Sequence, residues 1–221
     1  MGVRRKDGVP FFCFEISFLL LLEKIQDMEA LATAPALPKS RKKMLTYKDY
    51  AALTPPDSGN YELHNGQIVY MASPTPSHQR IARRLTTQID NFLAQNKLGE
   101  VFFAPLDTVF DEINTLQPDV LFIAKERSSI IGKKKIEGAP DFVVEIQSEG
   151  NTAKEMGYKK YIYETFMVRE YWVINLKKET ITKYLNEEGE FRQVGIFQKG
   201  EEVASDVLGG FQVSLIGLSE S

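Results

Sequence analysis

Two acidic side chains lie inside one strand-like segment, GAPDFVVEIQS, at residues 138–148. Side chains alternate between the two faces of a strand, so Asp141, Glu145 and Gln147 share one face and the apolar residues between them share the other. An ionised carboxylate is costly to bury unless a partner compensates its charge. The pattern therefore predicts that a cation or a set of hydrogen-bond donors faces Glu145.

A further carboxylate, Asp119, begins an earlier apolar segment, QPDVLFIA, at residues 117–124. If the two segments are neighbouring strands, Asp119 and Glu145 converge at one edge of the sheet. Two carboxylates at close range resist ionising together unless a cation lies between them. Mg²⁺ is commonly held by one or two carboxylates together with water and phosphate oxygens. Such a pair of carboxylates would suit a hard cation such as Mg²⁺.

A purely structural role is the alternative for each acid taken alone. Asp119 and Asp141 both follow a proline, where aspartate often serves a turn or the start of a strand. Glu145 could equally pair with a lysine or arginine of a neighbouring element. We assign Asp141 to strand entry and retain Asp119 and Glu145 as the pair that could carry chemistry.

The surrounding pattern predicts an α/β domain in which helices pack on a mixed sheet. Helices are expected at residues 47–53, from a cap at Ser77 to Gly99, and at 152–167. The helix at 152–167 separates the strands at 140–148 and 169–175, which suits a crossover between parallel neighbours. Other strands are expected at 100–111 and 117–124, with 125–139 as a loop. Asn65-Gly66 and Glu188-Gly189 predict an N-terminal and a C-terminal hairpin.

Composition sets limits on partners and compartment. The chain of 221 residues has a net charge of -3, so no overall positive field indicates nucleic acid or an anionic membrane. Its single cysteine excludes an internal disulfide and a cysteine-based zinc cluster. We expect a cytoplasmic protein with no membrane association and no organic cofactor.

Residues 1–44 differ from the rest of the chain. A basic start and an apolar run interrupted by Glu15 precede an alanine-rich stretch, an order similar to that of a secretory signal peptide. The glutamate within the apolar run argues against export. We expect residues 1–44 to be an extension outside the fold, with Met28 or Met44 as alternative starts, and residues 45–221 to form the domain.

The ordered set of segments resembles a known family. YELHNGQIV, SPTPSHQ, APLDTVF, QPDVLFIA, EGAPDFVVEIQS and VREYWVIN are together similar to the Uma family of restriction endonucleases, within the PD-(D/E)XK nuclease superfamily. The resemblance covers roughly residues 45–215. It implies a restriction-endonuclease-like fold, Mg²⁺-dependent hydrolysis of DNA phosphodiester bonds and a homodimer. It also implies that Asp119 and Glu145 bind the metal and that Glu62 lies near the site.

The chain departs from the superfamily pattern at one position. Gln147 stands two residues after Glu145, where the superfamily carries lysine; glutamine can orient water but cannot supply positive charge to a phosphate. That charge could come from Lys159, in a stretch that the Uma family marks with lysine and a tyrosine four residues later. The structural alternative for Lys159 is a helical ion pair with Glu155.

Two main functions remain open at this point, and a metal-dependent hydrolase of some other anionic substrate is a more distant third. The first is a Mg²⁺-dependent DNA endonuclease in which Gln147 and Lys159 orient and stabilise the reacting groups. The second is a catalytically inactive nuclease fold that binds DNA or another protein, which the glutamine at position 147 would suit. Arg80, Arg83 and Arg84 could contact DNA phosphates, as could the lysines at 133–135. His78 could be a general base or a phosphate contact, but we expect it to cap or position its helix.

Overall fold

The computed structural model of the protein describes residues 43–54, 60–148 and 152–219. Its helices are α1 (Tyr47–Leu53), α2 (Pro76–Asn96), α3 (Ala153–Thr165) and α4 (Leu215–Ser219), with a 3₁₀ helix at Lys125–Ile130. Its strands are β1 (Tyr61–His64), β2 (Gln67–Tyr70), β3 (Gly99–Phe103), β4 (Thr108–Asp111), β5 (Asn114–Leu116), β6 (Val120–Ala124), β7 (Ile136–Glu137), β8 (Phe142–Gln147), β9 (Glu170–Asn175), β10 (Thr180–Glu187), β11 (Glu190–Gln198), β12 (Glu202–Ala204) and β13 (Gln212–Ser214). The prediction for residues 1–44 falls almost wholly on residues 1–42, outside the described residues, and stays a prediction.

A six-stranded mixed sheet forms the centre of the fold, in the order β11-β10-β9-β8-β6-β3. β8 and β9 are parallel and are joined by the α3 crossover, while the other neighbours are antiparallel. The predicted mixed sheet flanked by helices is confirmed, as are the hairpins β1–β2 and β10–β11. A second sheet, β2-β1-β5-β4-β7, and a small pair, β12-β13, were not predicted.

The central sheet is buried on both faces. On one face, the Phe142 side of β8 packs against the apolar stripe of α2, which includes Leu85 and Ile89. On the other face, Val143 packs with Ile162 and Tyr163 of α3. The predicted alternation along β8 is therefore correct, and Glu145 lies on the α3 side of the sheet.

Helix α2 begins earlier than predicted. Thr75, not Ser77, is the N-cap, since its side chain accepts a hydrogen bond from the His78 amide and Pro76 occupies the first turn. Proline suits that position because the first amides of a helix have no partner within it. The helix ends at Lys97, which has a left-handed φ of 54°, and Gly99 starts β3 instead of ending the helix.

Two other segments differ from their predicted form. Residues 100–111 do not form one strand, because the chain turns at Pro105 between β3 and β4. The expected loop at 125–139 contains the 3₁₀ helix and the two-residue strand β7. These elements place Asp107 and Gln117 beside the hairpin β1–β2, where Gln117 Nε2 donates to Asp107 Oδ1 at 2.9 Å.

Candidate active site

Asp119 directly precedes β6, and Glu145 lies on the neighbouring strand β8 of the central sheet. Val120 pairs with Val144 across the antiparallel strands β6 and β8, so Asp119 stands opposite Glu145 one step further along. Residues that face each other across an antiparallel pair project to the same side. The structure thus brings these two predicted residues together.

The Asp119 carboxylate is fixed by two elements. Its Oδ2 accepts a hydrogen bond from the Ile146 amide at 2.7 Å. The Nε2 atom of His78, in the first turn of α2, lies 3.1 Å from the same oxygen. The side chain retains 15% exposure, so one part of Asp119 remains open to the surface.

Glu145 is buried and held by α3. The Lys159 ammonium donates to its two carboxylate oxygens at 3.2 and 3.1 Å, and the Tyr163 hydroxyl donates to Oε1 at 2.5 Å. Lys159 is itself buried, because it lies on the same helical stripe as Ile162 and Tyr163. Lys159 therefore points toward the sheet, whereas a helical pair with Glu155 would have kept it on the outer face.

Glu62 approaches the same lysine from β1 of the second sheet. Its Oε1 lies 3.0 Å from Lys159 Nζ and also accepts the Gln117 amide at 2.8 Å. Its Oε2 lies 2.7 Å from Nε2 of His64, whose ring stacks on Tyr158. Lys159 thus bridges two buried carboxylates, Glu62 and Glu145, that come from different sheets.

One lysine does not balance the acids around it. Burial, together with the negative charges of Asp119 and Glu62, raises the pKa of Glu145 to about 8, although Lys159 opposes this rise. Burial also disfavours charge on Glu62, yet Lys159 and His64 lower its pKa below the ordinary value. Burial alone would lower the pKa of Lys159, but the carboxylates around it raise that pKa well above its ordinary value. Burial is the largest cause of the shift at Glu145, and one lysine does not offset it.

A surface pocket of about 190 Å³ opens onto these groups. Glu62, Asp119, Glu145 and Lys159 line its floor, and residues 71–75 with Ala104 and Pro105 form part of its wall. Gln147 is not among the lining residues. Its amide oxygen accepts from Asn175 Nδ2 at 2.8 Å, and it lines a separate depression beside Lys160.

The donor set fits Mg²⁺ better than a metal that requires several protein ligands. Across residues 43–54, 60–148 and 152–219, no group of three or more His, Cys, Asp or Glu side chains is arranged to hold a metal ion. Structural zinc needs four such ligands and catalytic zinc three. Mg²⁺ keeps several waters and needs only one or two carboxylates, which the Asp119 and Glu145 pair can supply.

Two residues at this site were not selected from the sequence. His78 does not cap α2 but contacts Asp119 and lines the pocket. The ring of Tyr163 is buried in the core, while its hydroxyl binds Glu145. The four-residue spacing from Lys159 to Tyr163, visible in the sequence, places both residues on one helical face.

Among the basic residues considered for contact with DNA phosphates, some already contact other protein groups and some are exposed. Arg84 donates to the carbonyl of Leu218, and Lys135 lies over the ring of Tyr47 at 4.2 Å. These two therefore have structural contacts, whereas Arg80 and Arg83 are exposed along α2. Asp141 accepts the Ala124 amide at 2.9 Å and contacts Arg127 and Arg169, as expected of an acid at the start of a strand.

Comparison with known proteins agrees with the family resemblance. A family model described as "Putative restriction endonuclease" (Uma2) matches residues 47–216. A crystal structure of a "putative nuclease belonging to DUF820" from Anabaena variabilis is similar, with a TM-score of 0.66 and 17% identity. The match covers 79% of this chain and 97% of that one. A search of curated proteins gave no match.

No helix within the described ranges is long and apolar enough to span a bilayer.

Proposed function

Because the chain belongs to the Uma2 family of putative restriction endonucleases, we propose that it is a Mg²⁺-dependent endonuclease that hydrolyses DNA phosphodiester bonds. The observation that carries the proposal is the grouping of Asp119, Glu145 and Lys159 on the floor of one surface pocket. Two acids and a lysine in such a pocket are the groups that metal-assisted phosphodiester hydrolysis requires.

Asp119 and Glu145 would hold the cation, and a bound cation would compensate the negative charge that burial disfavours on Glu145. When bound, Mg²⁺ would polarise a phosphoryl oxygen and lower the pKa of a bound water. The Ile146 amide and the Tyr163 hydroxyl each donate to one of the two carboxylates, so both acids are oriented before any substrate arrives. Preorganised ligands lower the cost of reaching the reacting geometry.

Lys159 would supply the positive charge that Gln147 lacks. Its ammonium lines the pocket beside both proposed metal ligands and has a raised pKa, so it stays charged at neutral pH. A fixed cation next to a phosphate offsets negative charge that develops during attack by water. Glu62 would act through Lys159 as a positioning residue, because it holds the ammonium at 3.0 Å.

A catalytically inactive nuclease fold that binds DNA is the second candidate. It is favoured by the same lysine, because the Lys159 ammonium already contacts both Glu62 and Glu145. A lysine can substitute for a metal as the counter-ion of buried acids. The two candidates differ in one outcome, which is metal-dependent cleavage.

The test is incubation of the full-length protein with supercoiled plasmid and with circular single-stranded DNA, in Mg²⁺ or in EDTA. The proposal expects cleaved circles only in Mg²⁺, and a loss of about 100-fold or more in Asp119→Ala. Asp90→Ala, which changes an exposed acid on α2, is the matched control and should cleave normally. No metal-dependent cleavage by the wild type, or equal cleavage by the wild type and Asp119→Ala, would overturn the proposal. DNA binding without any cleavage would favour the inactive fold.

A further inference from the structure

A second cavity adjoins the candidate active site. It has a volume of about 710 Å³ and lies between the first three turns of α2 and the end of β3. Asp119 and His78 line both this groove and the smaller pocket. A chain held in the groove would therefore continue directly into the proposed site of cleavage.

Two arginines on the groove make no side-chain contact with a carboxylate or carbonyl in the described part of the chain. The described ranges contain six arginines, and four of their guanidinium groups contact a carboxylate or a carbonyl; these are Arg84, Arg127, Arg169 and Arg192. Arg80 and Arg83 make no such contact within those ranges, and both are exposed and line the groove. Residues three apart lie on the same side of a helix, so the two free cations form one row.

The opposite wall of the groove carries an exposed aromatic ring. Phe103, the last residue of the edge strand β3, is 61% exposed. No ring contact involves Phe103 among the aromatic pairs of the described residues. Its face is therefore available to a planar group of a ligand.

We infer that this groove binds a single-stranded segment of DNA, with phosphates on Arg80 and Arg83 and an unpaired base stacked on Phe103. Positive side chains that follow a backbone, combined with an aromatic platform, are the usual elements of single-strand binding. The bases of an intact duplex are stacked on one another and do not offer a face to Phe103. The inference rests on the proposed function and specifies its substrate as DNA with unpaired bases next to the scissile phosphate.

The test measures binding separately from cleavage. The parent protein is the full-length chain with Glu145→Gln, kept in EDTA so that it does not cleave. Its binding to one labelled oligonucleotide, either single-stranded or in a duplex, is measured by fluorescence anisotropy. Arg80→Glu/Arg83→Glu is compared with Lys97→Glu/Lys125→Glu, a charge-matched control at the opposite end of α2. Phe103→Leu is compared with Phe103→Trp, which restores an aromatic face.

We expect the single strand to bind about tenfold tighter than the duplex. The double arginine variant should lose about tenfold in affinity. The slope of log affinity against log salt concentration should become shallower by about 1.4, because each phosphate contact with a single strand contributes about 0.7. Phe103→Leu should lose about fivefold or more, whereas Phe103→Trp and the lysine control should bind as the parent does.

Three results would each overturn the inference. They are equal or tighter binding of the duplex, an arginine variant no weaker than the lysine control, and equal affinities for Phe103→Leu and Phe103→Trp. The proposed function fails separately from single-strand binding by the groove. Arginine-dependent binding without metal-dependent cleavage would support the groove and contradict the nuclease activity. Metal-dependent cleavage, with groove variants that bind as the parent does, would support the nuclease activity and contradict the groove.

Discussion

Lys159 Nζ lies 3.1 Å from Glu145 Oε2, and both side chains are buried. This contact joins α3 to the central sheet at the floor of the pocket. Since Glu62 lies 3.0 Å from the same ammonium, Lys159 also ties the second sheet to the first. The lysine is thus a structural counter-ion and a candidate catalytic group at once.

Replacement of Lys159 by methionine should destabilise the fold by about 3–5 kcal/mol at pH 8, because it leaves two buried carboxylates without their cation. The loss should shrink at pH 5, where those carboxylates can take up protons. Urea unfolding at the two pH values measures both effects. Lys154→Met, on an exposed turn of the same helix, should change the free energy of unfolding by less than about 0.5 kcal/mol. An equal loss at pH 5 and pH 8 would contradict the role of the ion pair.

The raised pKa of Glu145 predicts how stability varies with pH in the absence of metal. Its ordinary value is 4.5 and its folded value about 8, so between these values the folded protein holds a proton that the unfolded chain has released. The contribution of Glu145 to the free energy of unfolding therefore falls as pH rises through this window. Glu145→Gln cannot ionise, and its stability in EDTA should fall less from pH 5 to pH 8.5. Glu100→Gln, exposed on β3, should follow the wild type; parallel curves for Glu145→Gln and wild type would refute the prediction.

Two tyrosines near Glu145 should respond in opposite directions to loss of the hydroxyl. Tyr163→Phe removes the 2.5 Å hydrogen bond to Glu145 and should destabilise the protein by about 1 kcal/mol or more. The buried Tyr171 hydroxyl has no hydrogen-bond partner in the described part of the chain, so Tyr171→Phe should be neutral or stabilising. Thermal or urea unfolding of the two variants provides the comparison. A larger loss in Tyr171→Phe than in Tyr163→Phe would exclude this assignment of the two hydroxyls.

His78 should affect the metal through Asp119. Its Nε2 lies 3.1 Å from the carboxylate, while its buried Nδ1 has no partner within the described ranges. Groups that orient a metal ligand typically change metal affinity 10- to 100-fold, so His78→Leu should raise the Mg²⁺ concentration for half-maximal cleavage by about that factor. Ser77→Ala, which alters the exposed neighbour, should leave the Mg²⁺ dependence unchanged. A variant His78→Leu with the wild-type Mg²⁺ dependence and a lower maximal rate would show that His78 acts elsewhere.

Much of the central sheet could be predicted because its turn residues and its apolar runs indicate the same strands that the structure shows. Glu188-Gly189 supports the tight hairpin β10–β11, and both residues have positive φ values of 55° and 98°. The run of apolar residues in β8 and the helical segment between β8 and β9 identified the parallel pair. The second sheet could not be foreseen in the same way, because strands as short as β5 and β7 show no periodicity. Their pairing is decided by contacts with distant segments of the chain.

The candidate site was likewise only partly predictable from the sequence. Alternation along two strands was sufficient to predict that Asp119 and Glu145 approach each other, because strand geometry fixes the face of each side chain. The orientation of Lys159 depended on which side of α3 is buried, which only the packed structure determines. His78 was missed because its contact with Asp119 joins the start of a helix to a strand about 40 residues later, and no local pattern encodes that distance.

The measurement that bears most directly on the metal site is a titration with Mn²⁺ followed by electron paramagnetic resonance. The signal of free Mn²⁺ decreases as the ion binds to the protein. Mn²⁺ prefers the same oxygen ligands as Mg²⁺. The full-length protein at pH 8 should bind one ion per chain, and Asp119→Asn and Glu145→Gln should each lose that binding while Asp90→Asn keeps it. Wild-type protein that binds no more Mn²⁺ than Asp119→Asn would contradict a metal held by Asp119 and Glu145.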